Sequence, residues 1–179
     1  MQQFHDAGLP IVLLLIGGNA LADGPSTQIK SEYLMTYVAQ LGSEYPISHN
    51  LTIVNVLAGG SAKGPRISGT FVAPGGDWLR RTPSGALRID VRATIKTDDG
   101  AFIYMSYNGV LQESADSARK LARGEILTTK DFSYCIGAPT FETSSSKYAW
   151  INNVQAVNKF VEFKDGEGGY IKYDVFILR

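Results

Sequence analysis

Between Ala86 and Lys96 the chain alternates without a break. Leu87, Ile89, Val91, Ala93 and Ile95 take one parity; Arg88, Asp90, Arg92, Thr94 and Lys96 take the other. A period of two over that length does not fit the 3.6-residue repeat of a helix and specifies a long β-strand with two chemically different faces. Asp98–Asp99–Gly100 then supplies a turn, because Gly tolerates positive φ and Asp hydrogen-bonds its own backbone. Residues 101–107 lead away as a second strand. The segment is a β-hairpin, and the rest of the chain is read outward from it.

Composition supports a chain built in this style throughout. Nineteen Gly, nine Tyr and eight Phe in 179 residues, with many Val, Ile and Thr, point to strands joined by tight turns. That length suits one domain able to bury a core without staples. Seventeen basic residues balance seventeen acidic ones, and no Lys/Arg run marks a phosphate-tracking groove, so no nucleic-acid partner is expected. Cys135 is the single cysteine, which excludes an internal disulfide and a thiolate metal cluster and leaves it as a small buried hydrophobe.

The N-terminus differs from the rest. Residues 9–16 form an apolar run, followed by Ala20–Leu21–Ala22, which matches a secretory cleavage site after Ala22. The run is too short for a bilayer span, so no stable membrane insertion is expected. Against a leader stands the absence of Lys or Arg from the opening six residues. Residues 1–22 are expected to be a signal peptide, residues 23–179 the mature domain, and the protein secreted. Asn50–Leu51–Thr52 would then be a usable glycosylation sequon at Asn50.

Along the mature chain, residues 32–41, 51–57, 66–72, 126–136 and 170–178 read as strands, and residues 148–163 as one or two more. The loops are expected at 42–49, 58–65 and 74–76, with a hairpin turn at 165–169. The glycine-rich 58–65 lacks the order of a phosphate-binding loop and reads as a turn or bulge. Residues 112–124 are the one helical piece, with Ser114 as a cap and Gly124 as a stop. Eight or nine sequential, turn-linked strands predict an all-β fold: a single antiparallel β-barrel of about eight strands with one short helix.

Several blocks then resemble a known family. They are Gly59–Gly60–Ser61–Ala62–Lys63–Gly64–Pro65, Pro74–Gly75–Gly76–Asp77–Trp78, Ile89–Asp90–Val91–Arg92 and Thr97–Asp98–Asp99–Gly100–Ala101–Phe102–Ile103. Later come Pro139–Thr140–Phe141–Glu142–Thr143 and Tyr148–Ala149–Trp150–Ile151–Asn152. Residues 33–178 are thereby similar to the family catalogued as domain of unknown function 3237, found in bacteria and fungi. The resemblance implies a small antiparallel β-barrel and no established activity. The chain departs from the pattern where an Arg before the second strand gives way to His49–Asn50.

Asp90 and Arg92 lie two apart on one strand face, close enough to pair or to orient an anion. Two orientations remain open. Either the apolar parity fills the barrel and the charges face water, or the charges line a polar lumen, as their place in the family pattern suggests. The sharper expectation is that Asp90 and Arg92 point inwards with Tyr104 beside them. Asp77 precedes Trp78, and a carboxyl desolvated by an indole has the raised pKa that a general acid or base near neutrality needs. The candidate catalytic residues are Asp90, Arg92, Tyr104 and Asp77; the candidate ligand-binding residues are Trp78, Trp150, Tyr148 and Arg66. Asp98 and Asp99 are turn formers, His5 and His49 suggest no metal site, and no Ser-His-Asp set can be assembled.

Two function classes follow. The favoured one is a cofactor-independent enzyme, an isomerase, cyclase or lyase, acting on a small, partly aromatic metabolite. The alternative is a non-catalytic secreted carrier of a small apolar ligand. Both take a small molecule as partner, no cofactor and no metal, and both leave homo-oligomerisation open.

Overall fold

The computed structural model describes residues 27–179, so the leader expected over residues 1–22 lies outside the described residues. In chain order come β1 (Ser31–Ser48), β2 (Leu51–Val56), β3 (Gly59–Lys63), β4 (Ser68–Arg81), β5 (Leu87–Thr97) and β6 (Phe102–Glu113). After them follow the helix α1 (Ser117–Ala122), β7 (Leu127–Thr128), β8 (Phe132–Gly137), β9 (Thr140–Glu142), β10 (Ala156–Lys164) and β11 (Tyr170–Leu178). Eight strands close a ring in the order β11–β1–β2–β4–β5–β6–β8–β10, and β10 pairs back onto β11. Every ladder of the ring is antiparallel. The fold is the expected β-barrel, and closure leaves no free sheet edge around its girth.

The hairpin settles which parity faces in. Leu87, Ile89, Val91, Ala93 and Ile95 are all buried, while Arg88, Arg92 and Lys96 are exposed. Burying each large apolar side chain contributes about 1.5–3 kcal/mol. A buried charge instead requires a matched partner merely to break even. The inward parity is therefore apolar, and the expectation that Asp90 and Arg92 point into the lumen is corrected.

Other differences from the sequence reading have local causes. β1 runs through residues 42–48, expected as a loop, because register shifts between Leu41 and Glu44 and between Pro46 and Ser48 let the strand bend and continue. β4 passes Pro74–Gly75–Gly76, expected as its end, through a register shift between Val72 and Gly76. An exposed proline inside such a bulge removes no ladder hydrogen bond. In the glycine-rich stretch, Gly59 and Gly60 take φ of 107° and 64° and open β3. A Cβ on Gly60 would lie 2.1 Å from the Val38 carbonyl oxygen, so only Gly fits. The helix is shorter than expected, since Gln112 and Glu113 still belong to β6.

One end of the barrel is plugged. A 3₁₀ helix over Ala149–Asn153, where a strand was expected, inserts the fully buried Ile151, and Tyr148 packs beside it. The Tyr148 hydroxyl donates to the Asp99 carboxylate at 3.1 and 3.2 Å, tying the plug to the β5–β6 turn. Among the described residues, a cavity opens at the other end.

Candidate functional site

A cavity of about 370 Å³ opens at that unplugged end and runs into the barrel. Most of its wall is the inward parity already described, with Val54, Phe71, Met105, Phe160 and Leu111 beside the β5 residues. Four charged groups stand at its rim: Glu44, Asp165, and Arg81 with Glu113, which pair at 3.6 Å. Leu121 of α1 reaches the same rim.

One carboxyl sits deeper, and the bulge in β4 places it. Past the shift at Val72–Gly76 the parity of β4 puts Asp77 and Leu79 on the cavity wall and turns Trp78 and Arg80 outward. Asp77 pairs across the sheet with Val91, and Val91 with Tyr107, so Asp77 and Tyr107 share one inward row two strands apart. Burial pushes the Asp77 pKa up from 3.8 to about 7. The Asp90 backbone N–H, donating to Asp77 Oδ1 at 3.1 Å, works against that rise, and the charge of Asp90 adds to it. A carboxyl balanced near neutrality can both give and take a proton.

Tyrosine hydroxyls line the same lumen. Tyr37 and Tyr173 are cross-strand partners on β1 and β11, with ring centroids 5.4 Å apart. The hydroxyls of Tyr37 and Tyr107 lie 2.8 Å apart, and the Asn158 amide donates to Tyr37 Oη at 3.4 Å. The Tyr173 hydroxyl lies 3.6 Å from Cys135 Sγ. Burial raises the pKa of all three phenols, so they remain protonated. The Cys135 thiol is pushed up to about 11, also by burial, and stays a thiol. Among the described residues, no group of three or more His, Cys, Asp or Glu side chains is placed to hold a metal ion.

Of the residues nominated from sequence, only Asp77 lines this cavity. Asp90 and Arg92 pair on the outer wall at 3.3 Å, their side chains 39% and 48% exposed, with the Arg92 guanidinium 5.0 Å from the Trp78 ring. Tyr104 also faces outward, opposite Thr94 and Glu142. Trp78 and Asp90 border an open groove of about 510 Å³ that includes Arg80, Arg88 and Tyr134. Arg66 stacks over Trp150 at 3.4 Å, and Tyr148 belongs to the plug. Asn50 is exposed in the β1–β2 turn. Tyr37, Tyr107, Tyr173 and Asn158 were missed, although each shares the parity of buried neighbours: Met35 and Ala39, Ile103 and Met105, Val175 and Ile177, Ala156 and Phe160. Polar side chains at inward positions were the available signal.

Comparison with known proteins follows the same lines. The family described as "Protein of unknown function (DUF3237)" matches residues 29–178. A UPF0311 protein of Rhodopseudomonas palustris is 29% identical over 126 residues, covering 69% of this chain and 82% of that one. A crystal structure of a β-barrel-like protein from Acinetobacter baumannii covers 88% of this chain and 99% of that one, at 29% identity and a TM-score of 0.67. A hydroalkoxylation enzyme of Penicillium herquei is 33% identical over 104 residues, 58% of this chain and 53% of that protein's length.

Proposed function

The chain belongs to the DUF3237 family, and from that premise we propose that its barrel lumen is the active site of a cofactor-independent enzyme that isomerises or cyclises a small, partly aromatic metabolite. The observation that carries the reading is Asp77, the one lining carboxyl set back from the charged rim, balanced near neutrality beside tyrosine hydroxyls in a largely apolar cavity. The likeness to a hydroalkoxylation enzyme supports the same class. In such a step, an O–H adds across a C=C bond. Asp77 in its acid form delivers a proton to one alkene carbon while the hydroxyl oxygen bonds to the other. The proton lost from that oxygen returns to the Asp77 carboxylate, so product and substrate are isomers and no co-reactant is consumed. Apolar walls strengthen the polar contacts that remain and exclude water from the reacting carbon.

The test uses 2-allylphenol and related hydroxy-alkenes with the purified protein between pH 6 and 8, with cyclic ether measured by chromatography. Wild-type protein turns over at least one of them, and Asp77→Asn does not. The apolar lining also suits a carrier. In that case bound ligand is recovered unchanged and Asp77→Asn leaves its affinity intact.

A further inference from the structure

Three groups deep in the barrel are joined in a chain that the proposed proton transfer leaves unused: Asn158, Tyr37 and Tyr107. Asn158 is fully buried. Its Oδ1 accepts from the Gly137 backbone N–H at 2.7 Å. A backbone N–H can only donate, so the amide is oriented without ambiguity and its NH₂ faces Tyr37. The Tyr37 oxygen therefore accepts from Asn158, at 3.4 Å. Among the described residues, the one acceptor within reach of the Tyr37 hydrogen is Tyr107 Oη, at 2.8 Å. Both phenols line the cavity, but Tyr37 is 1% exposed against 6% for Tyr107, so turning this bond around would put the unpaired hydrogen on the more enclosed of the two. Tyr37 thus donates to Tyr107. The Tyr107 hydrogen then has no acceptor among the described residues, and Tyr107, 6% exposed, lines the cavity.

A glycine has been placed to admit this assembly. A Cβ on Gly137 would lie 2.6 Å from Asn158 Oδ1 and 2.8 Å from the Tyr107 ring. Gly137 is the last residue of β8, paired with Gly109 on one side and Asn158 on the other, where a glycine otherwise gives a strand no side chain to pack. Its absence of side chain is what lets Asn158 and Tyr107 close over it.

We infer that Asn158 is a positioning residue that sets the direction of the chain Asn158→Tyr37→Tyr107, so that the Tyr107 hydroxyl offers its hydrogen to the lumen and selects ligands carrying an acceptor oxygen, such as a carbonyl. This rests on the lumen being the ligand site. The selection is polar in a directional sense: a ligand presenting only a donor at that point meets another donor. In the reaction proposed above, a carbonyl held there would be polarised by a neutral hydrogen-bond donor, while Asp77 in the same inward row handles the proton.

Neutron diffraction from deuterium-exchanged crystals of the ligand-free protein reads the direction alone. The Tyr37 deuteron points at Tyr107 Oη and the Tyr107 deuteron points into the cavity. A Tyr107 deuteron directed at Tyr37 Oη overturns the polarity. The ligand class is read with 2-acetylnaphthalene and 2-ethylnaphthalene, which have similar shape and differ in the acceptor. Bound to wild-type protein, the ketone has a carbonyl stretch shifted below its value in an alkane. Tyr107→Phe restores the alkane value and lowers the ketone-to-ethyl affinity ratio about tenfold. An unchanged stretch and ratio in that variant overturn the acceptor subsite. Asn158→Leu weakens the carbonyl shift with Tyr107 in place, and a full shift in folded Asn158→Leu overturns the positioning role. If neither probe binds the wild-type protein, the lumen as a ligand site is overturned and the acceptor subsite with it; the direction of the chain is still decided by the neutron map.

Discussion

The protonation of Asp77 can be weighed against the stability of the whole domain. Its pKa is 3.8 in the ordinary carboxylate and about 7 in the folded chain, raised chiefly by burial. Between pH ~4 and ~7 the native state keeps a proton that the unfolded chain has released, so stability falls as pH rises through that window and levels off above it. A difference of about 3 pH units at ~1.4 kcal/mol each gives a penalty of about 4 kcal/mol at pH 8.5, an upper figure that relaxation or water entry reduces. Asp77→Asn has the shape of the neutral acid and keeps an oxygen to accept the Asp90 N–H, so it carries no such penalty. Urea unfolding at pH 4.5 and pH 8.5 separates the two states. The variant is within about 1 kcal/mol of wild type at the lower pH and more stable by ~2–4 kcal/mol at the higher. The variant losing stability at both, or a difference between the proteins that does not change with pH, would falsify the account of a proton held by burial and remove the acid from the proposed mechanism.

Four further substitutions probe the frame around the site. Arg92→Ala costs no more than about 1 kcal/mol by urea unfolding, since the pair with Asp90 lies in water; a loss of 3 kcal/mol would place it inside after all. Gly60→Ala destabilises by at least ~2 kcal/mol in the same assay, because its Cβ meets the Val38 carbonyl in a left-handed backbone; a urea midpoint equal to wild type would show that β3 can shift. Ile151→Ala costs ~2–5 kcal/mol, as expected for a fully buried aliphatic side chain, and more than the ~1–2 kcal/mol of Trp150→Ala, whose ring is only partly buried and holds Arg66; the reverse ranking would make the indole the anchor of the plug.

Sequence alone determined the central strands and their two-sidedness, because alternation is a local property of the chain. Residues 86–96 and 101–107 were legible as a hairpin from side-chain parity and one Asp-Asp-Gly turn, and closure into a barrel followed from the number of such strands. The same parity marks Tyr107 beside Ile103 and Met105, and Asn158 beside Ala156 and Phe160. What parity leaves open is which face meets the others, since an Asp–Arg pair can be read as a lumen or as a wetted wall. Only the closed ring decided that, by giving the larger hydrophobic gain to burying Leu87, Ile89, Val91 and Ile95. Bulges were equally out of reach: the shift at Val72–Gly76 inserts residues into β4 and sets the parity that puts Asp77, rather than Trp78, on the cavity wall. The meeting of Asp77, Tyr107, Tyr37 and Asn158, from β4, β6, β1 and β10, depends on contacts up to 121 residues apart along the chain. No local pattern encodes such a contact; it exists once the ladders around the ring are in register.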